Sequence, residues 1–181
     1  MRENRAWRVS GAMRQEVAIP AVIAIALAAL LAGCGSGSES GAGLTPTAHA
    51  VSAKVVRVVD GDTIEVSIGG TEEDVRYIGV DTPETVKPDT PVQCYGPQAS
   101  AENHRLVDEQ TVRLVFDRER RDVYGRLLAY VYVGSRFVNA ELVRDGYART
   151  LTISPDTAHA ELFRRLAAKA GRAGRGLWGA C

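Results

Sequence analysis

Short runs rich in β-branched residues fill the chain from Val51 onward, and glycine or aspartate turns separate them. Runs of this kind, bounded by turn residues, are typical of strands. Five strands are predicted, over residues 51–60, 63–68, 73–80, 111–116 and 126–133. The pattern therefore favours a small, mainly β domain.

Helical segments interrupt and follow these strands. They are predicted over residues 97–109, 140–145 and 156–170. Asn139 is expected to cap the second helix, and Ser154-Pro155-Asp156 to begin the third. Five strands with helices in these places fit a closed barrel of the OB type. The predicted fold class is α+β, mainly β, with a five-stranded OB-fold barrel and about three helices.

The charge balance argues against two classes of protein. The 181 residues include 22 Lys and Arg and 22 Asp and Glu, so the formal net charge at neutral pH is zero. Neither a strongly basic protein that coats nucleic acid nor an acidic disordered tail has this balance. The three histidines, at positions 49, 104 and 159, have no spacing that suits a metal site. The chemistry is therefore expected to use carboxylates and arginines.

The N-terminal segment has the order of a secretory signal. Four arginines among the first 15 residues precede an uncharged apolar run over residues 17–32. A permanent membrane span is the second choice, because the run is shorter than the roughly 20 residues that a spanning helix needs. The sequence Leu31-Ala32-Gly33-Cys34 resembles a bacterial lipobox, whose cysteine carries lipid. The alternative is an ordinary cleavage site beside a bystander cysteine.

These features divide the chain into three predicted parts. A lipoprotein signal peptide covers residues 1–33, a flexible tether that begins with lipidated Cys34 covers 34–50, and a folded domain covers 51–181. Two or more acyl chains would hold the protein stably on a membrane. Removing the signal peptide leaves 18 basic and 20 acidic residues, because it takes away four arginines and two glutamates. The predicted location is the outer face of the bacterial cell membrane, in the cell envelope.

Four polar motifs lie at strand ends and turns. In chain order they are Asp60-Gly61-Asp62-Thr63, Arg76 with Asp81-Thr82-Pro83-Glu84, Tyr95-Gly96-Pro97-Gln98-Ala99, and Asp122-Val123-Tyr124-Gly125-Arg126. Each motif alone has an ordinary explanation, since Asp-Gly is a favoured hairpin turn and charged residues at turns are often simply solvated. Arg76 is different, because an arginine beside apolar residues in a strand must reach solvent or find anions.

As an ordered set, these motifs resemble the staphylococcal nuclease family, and the resemblance covers about residues 51–178. It implies an OB-fold phosphodiester hydrolase, a thermonuclease-like endonuclease that depends on Ca²⁺. The implied reaction hydrolyses DNA or RNA between phosphorus and the 5′-oxygen and leaves 3′-phosphorylated ends. The expected partners are nucleic acid and the membrane. No protein partner is implied, and a monomer is expected.

The resemblance also implies a metal site and a catalytic glutamate. Asp62, Asp81 and the carbonyl group of Thr82 correspond to the Ca²⁺ ligands of the family. Oxygen ligands of this kind are the ones that Ca²⁺ prefers. Glu84 corresponds to the catalytic glutamate, which orients or deprotonates the attacking water.

Two arginines and a tyrosine complete the implied site. Arg76 and Arg126 correspond to the family's two arginines, whose planar forks bind the phosphodiester and stabilise its growing charge in catalysis. Tyr124 is a further expected substrate contact. Where staphylococcal members carry tyrosines that stack on the terminal nucleotide, this chain has Arg-Thr-Leu-Thr-Ile-Ser over residues 149–154. Weaker nucleotide binding is therefore expected.

The other two cysteines are predicted to pair. If Cys34 carries lipid, Cys94 and Cys181 form an even pair in an oxidising compartment, which favours a disulfide bond over two free thiols. Such a bond would tie the end of the chain to the loop that follows Glu84.

Two other functions are open. An OB-fold module could bind oligonucleotide or oligosaccharide without catalysis, and a structural envelope lipoprotein would account for the lipobox and the tether. Degenerate members of enzyme families usually lose charged residues of the site. Here the full set persists: Asp62, Arg76, Asp81, Glu84 and Arg126. The retained set favours the enzyme.

Overall fold

Eight strands and four helices form within residues 50–86 and 89–181, the part of the chain that a computed structural model describes. The strands are β1 (Ala50–Val58), β2 (Thr63–Ile68), β3 (Thr71–Tyr77), β4 (Gly79–Asp81), β5 (Thr111–Val115), β6 (Leu127–Val133), β7 (Arg136–Phe137) and β8 (Arg149–Leu151). The helices are α1 (Gly96–Val107), α2 (Val138–Arg144), α3 (Ala160–Arg172) and α4 (Leu177–Ala180). None of the described helices is long and apolar enough to cross a membrane. The predicted signal peptide, tether and lipidated Cys34 lie outside the described residues.

Five of the strands close into a barrel. β1 pairs antiparallel with β2 and β5, β2 pairs with β3, and β5 pairs with β6. Parallel pairing of β3 with β6 closes the ring. Along this part of the ring, Val58 pairs with Ile64, Ile64 with Val75, and Val75 with Leu127. All four residues are buried. The predicted five-stranded barrel is therefore confirmed.

Three helices cover the barrel and complete its core. Each contributes a buried apolar side chain, Leu106 from α1, Leu142 from α2 and Phe163 from α3. Full burial of one such side chain stabilises a fold by about 1.5–3 kcal/mol. The predicted mainly β fold with about three helices is correct, and the fourth helix is a short C-terminal turn.

The prediction of a single strand over residues 73–80 is wrong, because the segment forms two strands, β3 and β4. The chain turns at Gly79, whose φ is +81°, and a Cβ at this position would overlap the ring of Phe163. β3 stays in the barrel, whereas β4 pairs with β8 in a separate two-stranded sheet. The turn takes β4 out of the barrel sheet while the Asp81 side chain stays within reach of Arg76 on β3.

Two predicted helix starts are also wrong. Asn139 does not cap α2; its buried side chain accepts the N–H of Val131 and donates to the carbonyl of Ile78, both at 2.9 Å. The third helix begins at Ala160 because Asp156 turns inward and accepts main-chain N–H groups of the loop after β5. Both polar side chains therefore hold distant segments together instead of capping the start of a helix.

The structure contains the disulfide bond that the sequence predicts between Cys94 and Cys181. Their Cα atoms lie 6.1 Å apart, across a sequence separation of 87 residues. The C-terminal segment is itself fixed to the domain, since Leu177 is buried and its N–H donates to the carbonyl of Gly146 at 2.9 Å. The bond therefore joins the residue before Tyr95 to an anchored chain end.

Candidate active site

The Asp-Gly-Asp-Thr motif forms the connection between β1 and β2. The carboxylate of Asp60 accepts the N–H of Asp62 at 3.0 Å, which holds the turn from within. The carbonyl of Asp60 accepts a hydrogen bond from the side chain of Asn103, on α1, at 2.8 Å. The turn is thus held from both sides, and Asp62 lies buried with 5% of its surface exposed.

The buried carboxylate of Asp62 binds groups from two other segments. One oxygen accepts the N–H of Thr82 at 2.7 Å and its hydroxyl at 2.9 Å, and the other lies 2.7 Å from Nη1 of Arg76. The same contact explains Gly61, because a Cβ there would lie 2.6 Å from the hydroxyl oxygen of Thr82. The structure therefore brings the Asp-Gly-Asp-Thr and Asp-Thr-Pro-Glu motifs into direct contact.

Burial changes the acidity of Asp62. It raises the pKa of this carboxyl group from 3.8 to about 6; Arg76 opposes the rise, nearby Asp60 adds to it, and the hydrogen bonds from Thr82 lower the pKa. The ionised form of a carboxylate that burial disfavours in this way is strongly stabilised by a cation beside it. Asp62 is therefore suited to a site that holds positive charge.

Arg76 links the two aspartates that were predicted as metal ligands. Its Nη1 contacts Asp62 and donates to the carbonyl of Val80 at 3.0 Å, while Nη2 donates to Asp81 at 3.1 Å. The side chain of Arg76 is 15% exposed, and that of Asp81 is 53% exposed. The arginine thus finds the anions that its position in the strand requires, and it holds β4 against the end of β3.

Glu84 lies at the start of the loop after β4. Its Oε1 accepts the N–H groups of Thr85 and Val86, each at 2.9 Å. Gln93 closes the loop on the other side, since its side-chain oxygen accepts the N–H of Glu84 and its own N–H donates to the Glu84 carbonyl. The position of the Glu84 carboxylate therefore follows the path of the loop main chain.

Arg126 is held by an aspartate of its own turn. One carboxylate oxygen of Asp122 contacts Nε and Nη2 of Arg126 at 2.8 and 2.7 Å. The other oxygen accepts the N–H groups of Tyr124 and Arg126, each at 3.0 Å. The ring of Tyr124, 81% exposed, lies 5.4 Å from the Arg126 guanidinium carbon. The Nε and Nη2 edge of the guanidinium group is thus fixed by Asp122, which sets the direction of the remaining N–H groups.

A cavity of about 530 Å³ brings the predicted substrate-binding residues together, since Arg76, Arg126 and Tyr124 all line it. A volume in this range suits a small organic ligand such as a nucleotide. Leu151 and Ile153 form part of its wall, so the segment that departs from the family pattern contributes aliphatic side chains here. The predicted metal ligands and Glu84 are not among the lining residues, and the two aspartates connect to the cavity through Arg76. The catalytic and ligand roles of all these residues stay predictions.

The oxygen atoms of Asp62, Asp81 and Thr82 are of the kind that bind a hard cation. Among the described residues, no three or more His, Cys, Asp or Glu side chains stand together as a metal-binding group. Ca²⁺, however, accepts a mixture of carboxylates, carbonyl groups and water. The carboxylates of Asp62 and Asp81 with the carbonyl of Thr82 suit such a mixed shell. They suit Zn²⁺ poorly, because structural and catalytic zinc sites depend on His and Cys.

Sequence reasoning missed three residues that support the site. Asn103 accepts the hydroxyl of Tyr77 at 2.9 Å and donates to Asp60, Gln93 binds Glu84, and Asp122 binds Arg126. Asn103 carried a usable signal, because an asparagine on the apolar face of a helix must find hydrogen-bond partners. The partners of Gln93 and Asp122 depend on loop conformation, which the residue pattern does not specify.

Comparison with known proteins shows the family of the chain. Residues 74–180 match the family model described as staphylococcal nuclease homologue. The chain is 43% identical over 143 residues to the thermonuclease of Staphylococcus hyicus, covering 79% of this chain and 84% of the relative. It is 45% identical over 124 residues to the thermonuclease of Staphylococcus intermedius, covering 68% and 74%. It is 48% identical over 110 residues to endonuclease YncB of Bacillus subtilis (strain 168), covering 60% and 52%. The chain therefore belongs to the staphylococcal nuclease family.

Proposed function

We propose that this nuclease depends on Ca²⁺, hydrolyses DNA or RNA on the 5′-oxygen side of phosphorus and leaves 3′-phosphorylated products. Nuclease activity itself follows from family membership. The observation that best supports the finer proposal is the placement of Arg76, which contacts Asp62 and Asp81 and lines one cavity with Arg126. A single site would thereby combine two carboxylates for a metal with two arginines for a phosphate.

Asp62, Asp81 and Thr82 would hold the Ca²⁺ ion. The bound ion would supply positive charge against the oxygens of the scissile phosphodiester. Thr82 already binds Asp62 through its N–H and hydroxyl, so Asp62 is oriented before a metal enters. The raised pKa of Asp62 agrees with this assignment, because burial disfavours the ionised carboxylate and a neighbouring cation stabilises it.

Arg76 and Arg126 would bind the phosphate from the cavity side. A guanidinium group presents parallel N–H donors, which match two phosphate oxygens at once. Asp122 holds Nε and Nη2 of Arg126, so the remaining edge is oriented before substrate binds. Such preorganised donors lower the free energy of a transition state whose negative charge grows on phosphorus-bound oxygens.

Glu84 would act on the attacking water. Its carboxylate can accept a proton from that water or orient it by a hydrogen bond, and either role needs a fixed position. The hydrogen bonds from Thr85 and Val86 give the carboxylate such a position.

The proposal is tested by incubating the purified mature protein with single- and double-stranded DNA and with RNA, in Ca²⁺, in Mg²⁺ or in chelator. Cleavage is expected in Ca²⁺ and absent in chelator. Glu84→Gln and Arg126→Ala should each lower kcat by more than about a hundredfold while the fold is kept. Near-normal turnover in either folded variant would overturn the assigned roles. Binding of nucleic acid without cleavage under all conditions would favour the OB-fold binding module instead.

We also propose that the mature chain is a lipid-anchored monomer at the outer face of the cell membrane. The Cys94–Cys181 disulfide supports an exported protein, because such bonds persist in oxidising compartments. Fractionation of cells that express the natural chain or Cys34→Ser, with mass spectrometry of the N-terminal peptide, tests the anchor. A lipidated Cys34 and a membrane-bound natural chain are expected, and a natural chain without lipid would refute it. Sedimentation of the mature chain tests the monomer.

A further inference from the structure

The base of the Glu84 loop is closed by one residue. Gln93 donates its N–H to the carbonyl of Glu84 at 2.9 Å and accepts the N–H of Glu84 on its side-chain oxygen at 3.0 Å. Both main-chain hydrogen-bonding groups of Glu84 are therefore bound by Gln93. The residues between them form the loop whose first N–H groups bind the Glu84 carboxylate. A change at Gln93 would thus shift both the main chain and the side chain of Glu84.

Residues that follow Gln93 pack directly against the same point. Gly96 lies so close that a Cβ would come within 3.0 Å of the Glu84 carbonyl oxygen and 2.7 Å of the Thr85 methyl group. Tyr95 has a φ of +70°, and its ring lies 5.7 Å from that of Tyr147, which follows α2. The start of α1 therefore forms a fixed wall behind the loop base.

The disulfide fixes the remaining side. Cys94, the neighbour of Gln93, is bonded to Cys181, and the C-terminal segment is anchored through buried Leu177 and its bond to Gly146. Both cysteines are at exposed positions, so a small dithiol can reach the bond. Neither cysteine belongs to the buried core, so breaking the bond would remove the covalent link beside Gln93 and leave the barrel core in place.

We propose that Gln93 is a positioning residue for Glu84 and that the Cys94–Cys181 bond keeps Gln93 in place, so that turnover depends on the redox state of this bond. Reduction by a dithiol would break the S–S bond and give two thiols, while the dithiol loses two electrons and two protons and becomes a disulfide. The inference rests on the proposed role of Glu84. It predicts an effect on kcat, because Gln93 binds the main chain of Glu84 and neither residue lines the cavity proposed to bind substrate.

A double-mutant cycle tests the positioning role in the mature protein. Gln93→Ala should lower kcat by about tenfold and leave KM within about twofold, because small displacements of a catalytic group cost rate. Gln93→Glu keeps an acceptor oxygen at the same place and should retain most of the activity. In the Glu84→Gln background, Gln93→Ala should lower kcat no further. An unchanged kcat, or the same fold loss in the Glu84→Gln background, would overturn the proposal.

Reduction tests the disulfide separately. Treatment with a dithiol should lower kcat of the natural protein several-fold and leave kcat of the Cys94→Ser/Cys181→Ser variant unaffected, with circular dichroism showing that both stay folded. Equal turnover of oxidised and reduced natural protein would overturn the redox part. If Glu84→Gln itself turns over normally, the proposed role of Glu84 in catalysis fails, and that result is distinct from both outcomes above.

Discussion

The guanidinium group of Arg76 lies 2.7 Å from the buried carboxylate of Asp62. The same group reaches Asp81 at 3.1 Å, so one arginine joins the two proposed Ca²⁺ ligands. Arginine and metal would therefore stabilise the same negative charge. Arg76 is expected to matter for the stability of the fold as well as for the binding of phosphate.

Arg76→Ala is expected to lower the free energy of unfolding by about 3 kcal/mol at neutral pH, because it leaves a buried carboxylate without its cation. Arg76→Lys should lose less, since a lysine keeps the charge but not the fork. Urea denaturation in chelator measures both, and adding Ca²⁺ should restore part of the loss. A loss within about 0.5 kcal/mol, as at ordinary surface positions, would contradict the account.

The acidity of Asp62 predicts how stability changes with pH. Its pKa in the folded chain is about 6, above the ordinary 3.8, chiefly because of burial, so the folded chain binds the proton more tightly than the unfolded chain does. The stability that protonated Asp62 contributes is fully present below pH 3.8 and is lost as pH rises through about 6. Asp62→Asn removes this titration. The free energy of unfolding in chelator should therefore fall more steeply from pH 4 to 6 in the natural chain than in the variant, and parallel curves would refute the assignment.

Asp122 is expected to act through Arg126. Asp122→Asn keeps an oxygen that can hold the turn but removes the charge that grips the guanidinium, so kcat/KM should fall by about ten- to a hundredfold with little loss of stability. Asp108→Asn, the same change at an exposed carboxylate at the end of α1, is the matched control. Steady-state kinetics and thermal unfolding compare the two. Equal activity in both variants would show that Asp122 has no positioning role.

Gly61 is expected to tolerate no side chain. Gly61→Ala would place a methyl group 2.6 Å from the hydroxyl oxygen of Thr82, which must then move away from Asp62. The expected loss of stability is about 1–3 kcal/mol, typical of overpacking. Calorimetric titration should also show weaker Ca²⁺ binding, since Thr82 and Asp62 share the proposed site. A variant with natural stability and natural Ca²⁺ affinity would contradict the close contact.

Much of the barrel could be predicted from the sequence because its strands alternate polar and apolar residues between clear turns. The break between β3 and β4 could not, since apolar residues continue on both sides of Gly79. The positive φ of Gly79 and its contact with the ring of Phe163, far along the chain, become visible only in the fold. The predicted helix starts at Asn139 and Asp156 are wrong for a similar reason. A polar residue at a helix start satisfies local rules whether it caps the helix or binds a distant main chain.

The order of motifs predicted which residues form the site, but their mutual contacts could be seen only in the fold. The pairing of Thr63 with Arg76 across β2 and β3 places this arginine beside Asp62, and the turn at Gly79 returns Asp81 to it. The ion pair of Asp122 with Arg126 depends on the conformation of the turn between them. Residue types can therefore suggest the chemistry, whereas strand register and turn conformation decide which charged side chains form ion pairs.

The chemical groups at the cut ends show which phosphorus–oxygen bond the nuclease hydrolyses. A defined single-stranded DNA oligonucleotide is incubated with the purified mature protein in Ca²⁺ or in chelator, and the products are identified by mass spectrometry. Cleavage is expected in Ca²⁺ only, with every new upstream fragment ending in a 3′-phosphate and every downstream fragment beginning with a 5′-hydroxyl. Cleavage that persists in chelator, or fragments that end in a 3′-hydroxyl, would contradict the proposed function.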